Sequence, residues 1–325
     1  MMKKLLAMLL AVSMMLGLVA CGNSSEEASE FPTKQITLIC PLAAGGGSDT
    51  ISRLFAAALE EELGVSVVVE NKPGAGAGIG LEAIAAADAD GYTIGYIPAE
   101  VTTVKEMGNA KVTPEDFDYI CTAMKISALI CVPADSEYQT LDDLIQAAKA
   151  NPGAVTIGTA GVGNAYELGL RAMLKEAGVE LNIVNFSGGT AEAITAMMGG
   201  NVECCTAGTA EAISYVESGQ FRVLCNLSSE RSALLPDVET ATELGYACNG
   251  GSWGAIATAA GTPEEVLTVL REAAANVIGS EDFKKTLDER GFDEYNVDAA
   301  SFKTDAMEMC ETNSAIIREF ELSAN

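Results

Sequence analysis

The chain has 325 residues, 49% hydrophobic and 20% charged, which is enough for one large or two medium domains with proper cores. Its 46 acidic residues against 19 basic ones leave a net charge of −27, which argues against nucleic acid as a partner. With no histidine anywhere, neither a Ser-His-Asp triad nor a zinc site of the usual kind can be built.

At the N-terminus, Lys3 and Lys4 precede the apolar run LLAMLLAVSMMLGLVA, too short to span a bilayer comfortably, so residues 1–20 read as a signal peptide. It ends at Leu18-Val19-Ala20-Cys21, which resembles the lipobox of bacterial lipoproteins. That resemblance implies that Cys21 receives diacylglycerol and becomes the mature N-terminus, anchoring the protein to the membrane outside the cytoplasm. An ordinary secretory signal with a chance cysteine is the alternative. The polar, acidic stretch GNSSEEASE then serves as a tether over residues 21–30. Loss of Lys3 and Lys4 takes the net charge from −27 to −29. An anionic solute stays admissible, because exposed charges are screened over roughly 8 Å and local dipoles decide binding inside a cleft.

The next segments alternate between strand and helix patterns. Strands are expected at 35–40, 65–70, 92–97, 128–132, 155–160, 181–186, 202–207, 221–227 and 253–258. The intervening helices carry apolar residues at turn spacing, as in Ile51, Leu54, Phe55, Ala58 and Leu59. Gly64, Gly178 and Gly199 are expected to stop their helices, and Thr262-Pro263-Glu264-Glu265 to start one with Thr262 as its cap. This order predicts an α/β protein with mostly parallel sheets. No Pro/Ser linker divides the chain, so two domains require crossings, expected within 117–133 outward and 223–238 on the return. The first domain would then comprise 31–128 plus 234–325, and the second 129–233.

Eight cysteines remain after Cys21, at 40, 121, 131, 204, 205, 225, 248 and 310, with no Cys-x-x-Cys among them. Cys40, Cys131 and Cys225 sit in apolar strands, where a free thiol acts as a small hydrophobe. Cys204 and Cys205 read as neighbours on one strand facing opposite sides rather than as a redox pair.

Three strand-to-helix junctions are chemically alike, CPLAAGGGSDT at 40–50, GTAGVGNAYE at 158–167 and FSGGTAEA at 186–193. Their caps would be Ser48 or Asp49, Asn164 with Glu167 in capping-box spacing, and Ser187 or Thr190. Glycine lets backbone N–H groups approach a guest, and a helix start attracts carboxylate or phosphate without a basic side chain. In open α/β sheets such loops lie at the carboxyl ends of strands, where ligands settle. Enzyme readings fare worse. KPGAGAGIG at 72–80 fails the strict dinucleotide fingerprint, since its sixth position is Ile79 or Leu81, and no Gly-x-Ser-x-Gly elbow exists.

Taken together, PTKQITLICPLAAGGGSDTISRLFAAAL, VVVENKPGAGAGIG, DADGYTIGYI, LDDLIQAAKANPGAVTIGTAGVGN, AEAITAMMGGNVE, SSERSALLPDVETATELGY and WGAIATAAGTPEEVL closely resemble the substrate-binding proteins of tripartite tricarboxylate transporters, the Bug family. The resemblance runs from residue 32 to the C-terminal helices. It implies a two-lobed periplasmic-binding-protein fold of type II, closing on a small organic carboxylate and delivering it to a permease of one large and one small membrane subunit. It implies no cofactor, no metal and no enzymatic activity, and a monomer. The ligand residues it implies are Leu42, Ala43, Gly45, Gly46, Gly47 and Asp49 on one lobe, with Asp49 organising the loop rather than touching solute. On the other lobe they are Thr159, Gly161, Gly163 and Asn164. Ser187, Gly188 and Gly189 after Phe186, and Ala207 and Thr209, would line the far side.

Two departures from the family pattern stand out. Its Gly-Ser with a histidine three residues on is here Gly163-Asn164 with Glu167, and its Tyr-Lys-Gly is Phe186-Ser187-Gly188. Both remove a potential positive charge, which favours a monocarboxylate, an amino-acid-like zwitterion or a small dicarboxylate over a tricarboxylate. Alternatively, Glu167 only completes a helix start and never faces solute. A receptor that presents solute to a membrane sensor kinase would use the same fold, and one chain does not separate the two roles.

Overall fold

The computed structural model describes residues 31–323, so the expected signal peptide, the lipidated Cys21 and the tether lie outside the described residues. The chain divides into Met1–Thr33 and Lys34–Asn325, and every element below belongs to the second unit.

Two five-stranded sheets form two lobes. The first takes β1 (Ile36–Cys40), β2 (Val67–Asn71), β3 (Thr93–Pro98), β4 (Phe117–Ile126) and the late β10 (Ser252–Ala259), in the order β2-β1-β3-β10-β4. The second takes β5 (Ala128–Pro133), β6 (Thr156–Ala160), β7 (Asn182–Phe186), β8 (Cys204–Gly208) and β9 (Phe221–Asn226), in the order β7-β6-β8-β5-β9. Each sheet has one reversed strand: β10 runs antiparallel to β3 and β4, and β5 antiparallel to β8 and β9. The expected strands are all present, in mixed rather than purely parallel sheets. β4 is an additional strand, formed where only a crossing is expected.

Nine helices follow among the described residues: α1 (Gly47–Leu63), α2 (Gly78–Ala85), α3 (Leu141–Ala150), α4 (Ala165–Ala177), α5 (Thr190–Met198), α6 (Thr209–Glu217), α7 (Glu264–Gly279), α8 (Glu281–Glu289) and α9 (Ala299–Glu319). Strands covered by helices on both faces must be apolar throughout. β1 obeys this, with Ile36, Leu38, Ile39 and Cys40 buried. Leu81, Ile84, Phe302 and Ala306 of α2 and α9 cover one face of the first sheet, while Ile51, Phe55 and Leu59 of α1 and Leu267 and Leu270 of α7 are equally buried. In the second lobe, α3 and α4 build one core around Leu144, Ile145, Leu170 and Met173. α5 and α6 build the other around Ile194, Met197 and Ala212. Cys204 belongs to the first of these cores and Cys205 to the second, as strand alternation requires. All eight described cysteines are free.

The helix punctuation differs in detail from expectation. Gly64 and Gly178 stop α1 and α4 in left-handed conformations, but at the end of α5 it is Gly200, not Gly199, whose φ is positive. α7 begins at Glu264 without a side-chain cap, because the Thr262 hydroxyl donates to the Ala259 carbonyl instead.

Between the lobes, β4 ends at Ile126 and β5 begins at Ala128, leaving Ser127 as the outward link. The returning chain does not leave the second lobe at once. Thr240 bridges to Asn226, and Ala241, Tyr246 and Cys248 pack into the α3–α4 core. We therefore propose that the second lobe extends to about residue 250, past the expected boundary at 233. Beside these links, the buried Asp293 carboxylate accepts from Ser232 Oγ at 2.8 Å, Ala233 N–H at 2.9 Å and Ser127 Oγ at 3.4 Å.

Candidate functional site

The loop after β1 leads into α1 through Gly45, Gly46 and Gly47, all exposed. Gly46 is the N-cap, with no side chain bonded to the helix start, so Ser48 and Asp49 are not the caps expected. Instead Asp49, within the first turn, reaches back: its Oδ2 accepts from Gly45 N–H at 2.8 Å and Arg53 Nε at 3.0 Å, and its Oδ1 from Asn71 Nδ2 at 2.9 Å. Burial alone would raise its pKa, but the bonds from Arg53, Gly45 and Asn71 prevail and lower it to about 2. Asp49 therefore fixes the glycine loop and occupies Arg53, leaving the first-turn N–H groups of α1 for a guest.

α4 repeats the device. Asn164 is its N-cap, with Oδ1 accepting from Tyr166 N–H at 2.9 Å and Glu167 N–H at 3.1 Å. Glu167, fully buried, accepts from Gly163 N–H at 2.7 Å and pairs with Arg171 at 2.6 Å. It faces the loop and its own helix, not the cleft. At α5 the N-cap is Gly189, so neither Ser187 nor Thr190 caps, and Glu192 accepts from Gly188 N–H at 2.8 Å. One rule thus covers three helix starts: a glycine N–H is held by an acid four residues on.

α6 starts directly at the end of β8 and breaks the rule. Its acid is Glu211, and the position four residues earlier is Ala207, which lies in the β8 ladder opposite Leu129 rather than in a loop. Glu211 Oε2 is buried and makes no hydrogen bond. It shares a spot with the Tyr166 hydroxyl: a Cβ added to Gly208 would sit 2.4 Å from each. Burial raises the Glu211 carboxyl above its ordinary range, although its own N–H and that of Gly208 favour the charged form.

On the first lobe, Tyr96 lies near the end of β3, its hydroxyl against Gly254, and Glu100 follows the strand. Tyr96 is 1% exposed, and burial pushes its hydroxyl well above its ordinary range. Glu100 and the start of α4, at Gly163, Asn164 and Ala165, line a common cavity of about 30 Å³. Burial raises the Glu100 carboxyl as well. The lobes also touch where Gly291 lies against Ala210 and where Thr209 Oγ1 donates to the Gly291 carbonyl at 2.9 Å, while Phe292 covers Gly47 within the first lobe. The chain just after β3 and the loop after β6 thus meet at a small cavity.

A family model described as the tripartite tricarboxylate transporter family receptor matches residues 51–322. The chain belongs to this family. Among relatives, the UPF0065 protein in the gbd 5′ region of Cupriavidus necator is 29% identical over 96% of this chain and 95% of its own length. A TctC solute-binding protein from Polaromonas, solved without ligand, superposes with a TM-score of 0.83 at 29% identity, covering 89% of this chain and 99% of that one. MatC from Rhodopseudomonas palustris with bound malate shares the fold at 22% identity and a TM-score of 0.70, over 88% of this chain and 100% of its own. The family is one of solute-binding receptors, not enzymes, and its fold is the two-lobed periplasmic-binding-protein architecture.

Within this receptor the expected residues distribute unevenly. Gly163 and Asn164 line the small cavity beside Glu100, Gly45, Gly46 and Gly47 are exposed ahead of α1, and Thr209 is buried against Gly291. Thr159 is fully buried and its hydroxyl accepts from Asn164 Nδ2 at 3.3 Å, so it braces the loop. Gly161 donates its N–H to the Phe186 carbonyl at 3.1 Å, tying the β6 loop to the β7 loop. The Ala207 side chain packs in the α5–α6 core, leaving only its main chain available. Ser187 and Gly188 are exposed at the end of the edge strand β7, on the rim. Tyr96, Glu100, Tyr166 and Glu211 escape a reading of the sequence because they lie beside the glycine loops, not in them. A signal for Glu211 existed: Gly-Thr-Ala-Glu-Ala-Ile occurs at 189–194 and again at 208–213, marking two helix starts of one design.

Proposed function

We propose that this receptor captures a small organic carboxylate in the cleft and delivers it to a membrane permease of one large and one small subunit, while lipid on Cys21 holds it at the membrane outside the cytoplasm. The observation that carries this reading is the pair of helix starts of α1 and α4, each behind a glycine loop, whose neighbouring basic side chains, Arg53 and Arg171, are already engaged by Asp49 and Glu167. Each start contributes only about 0.3 to 1 kcal/mol through its dipole, up to ~2 when partly buried. Micromolar binding needs about 8 kcal/mol, so charge-assisted hydrogen bonds at roughly 1.5 to 3 kcal/mol each must supply the rest. The binding of malate by MatC supports a carboxylate as the held group.

A tricarboxylate fits poorly, because Ser187 stands where the family pattern has a lysine and Glu100 adds an acid beside the start of α4. Calorimetric titration of the full chain with monocarboxylates, dicarboxylates and citrate tests this. Citrate is expected to bind at least about a hundredfold more weakly than the best small acid, a gap of roughly 2.8 kcal/mol. Tight citrate binding would overturn the proposed size and charge class.

A further inference from the structure

The last helix, α9, is shared between the lobes. Its first half belongs to the first lobe: Phe302 and Ala306 are buried on that sheet, and the Phe302 ring meets Trp253, Tyr119 and Tyr295 edge-on at 4.8, 5.1 and 5.7 Å. Its end leaves that core. Ile316, Ile317 and Leu322 form a separate buried cluster with Leu168 of α4, a helix that contributes Leu170 and Met173 to the core of the second lobe. Met107 of the first lobe packs against the same cluster. Around it, Lys175 of α4 pairs with Glu319 at 2.7 Å and Arg171 lies over the Phe320 ring at 4.9 Å. Asn313 and Arg318 reach back to Thr102 and Glu106 of the first lobe at 2.9 and 2.8 Å. Between the two anchored ends, Asp305, Glu308, Met309 and Thr312 form one stripe at turn spacing. They line a cavity of about 810 Å³, which Ser127 and Ser228 on the two crossings line as well.

We infer that α9 is a strap between the lobes: its first half is fixed to the first sheet, its end grips α4, and this grip limits how far the empty receptor opens. The half-exposed ion pair of Lys175 and Glu319 contributes little, so the buried cluster carries the grip. The strap ends beside a glycine loop. Met107 sits so close to Gly163 that a Cβ added there would lie 2.8 Å from its Sδ. A receptor held back from opening widely keeps a larger fraction of its molecules ready to close, and its apparent affinity rises with that fraction. None of this depends on which solute is bound.

Small-angle scattering of the full chain without solute tests the strap. Deleting residues 320–325 together with Ile316→Ala removes the grip, and Phe320→Ala with Leu322→Ala weakens it at full length. The shortened variant is expected to gain about 1 Å on the roughly 20 Å radius of gyration of a compact chain of this length, although shortening alone would reduce it. The full-length variant should shift in the same direction by less, and both should keep one cooperative melting transition. A terminus that merely stabilises the fold would lower the melting temperature and leave the radius of the folded protein unchanged. That result in the shortened variant would overturn the strap. If the shortened chain loses its cooperative transition, the full-length variant decides on the same criterion.

Discussion

At the scale of single residues, the acids in this cleft divide by what their neighbours offer. Asp49 is 4% exposed and anchored by Gly45, Arg53 and Asn71, and its pKa of about 2 lies below its ordinary 3.8. Its stabilisation is therefore complete above about pH 4 and lost as pH falls through 2; it amounts to at most about 2 kcal/mol, since Arg53 is half exposed and partly screened. Asp49→Asn is expected to cost about 1–2 kcal/mol at neutral pH in urea denaturation and to lose less than the parent between pH 4 and pH 2. Equal stability of parent and variant at pH 7 would show that the loop does not depend on this charge. Asp49 as an organiser of the loop was expected, but Ser48 or Asp49 reads as the cap, and only the folded loop shows that Gly46 supplies it and the acid reaches backward.

At the scale of elements, Glu167 and Arg171 show what a departure from the family pattern does. Glu167 is fully buried and its partner's side chain is 17% exposed, so truncation leaves a largely buried guanidinium unpaired and frees the Gly163 N–H. Glu167→Ala is expected to destabilise the protein by about 3–5 kcal/mol, measured as a lower urea midpoint with an unchanged slope. A loss under about 1 kcal/mol would mean the pair is merely superficial. The strands were legible because β-branched and apolar runs between glycine-rich turns have few other uses. β4 was not, since FDYICTAMKI joins β5 across Ser127 alone and reads as one continuous passage. The burial of Ala241, Tyr246 and Cys248 is not legible in the sequence, because they lie on irregular chain, which carries no periodicity.

At the scale of the whole molecule, the links at Ser127, at residues 227–252 and through Asp293 are few compared with the contacts inside each sheet, so the lobes are built to move about them. The glycine loops are legible in the sequence as strand-to-helix junctions, but the chain order does not show which side chains come from the opposite lobe, because Glu100 and Glu211 are 111 residues apart. Solute binding is expected to shrink the radius of gyration measurably in small-angle scattering; a calorimetrically saturated protein with an unchanged profile would rule out closure. The central claim is that the helix starts hold a carboxylate. Native mass spectrometry of the full chain, purified without denaturant, tests it most directly through the small molecule that co-purifies. The expected result is a bound solute bearing a carboxylate. A bound sugar, or any solute without a carboxyl group, would contradict it.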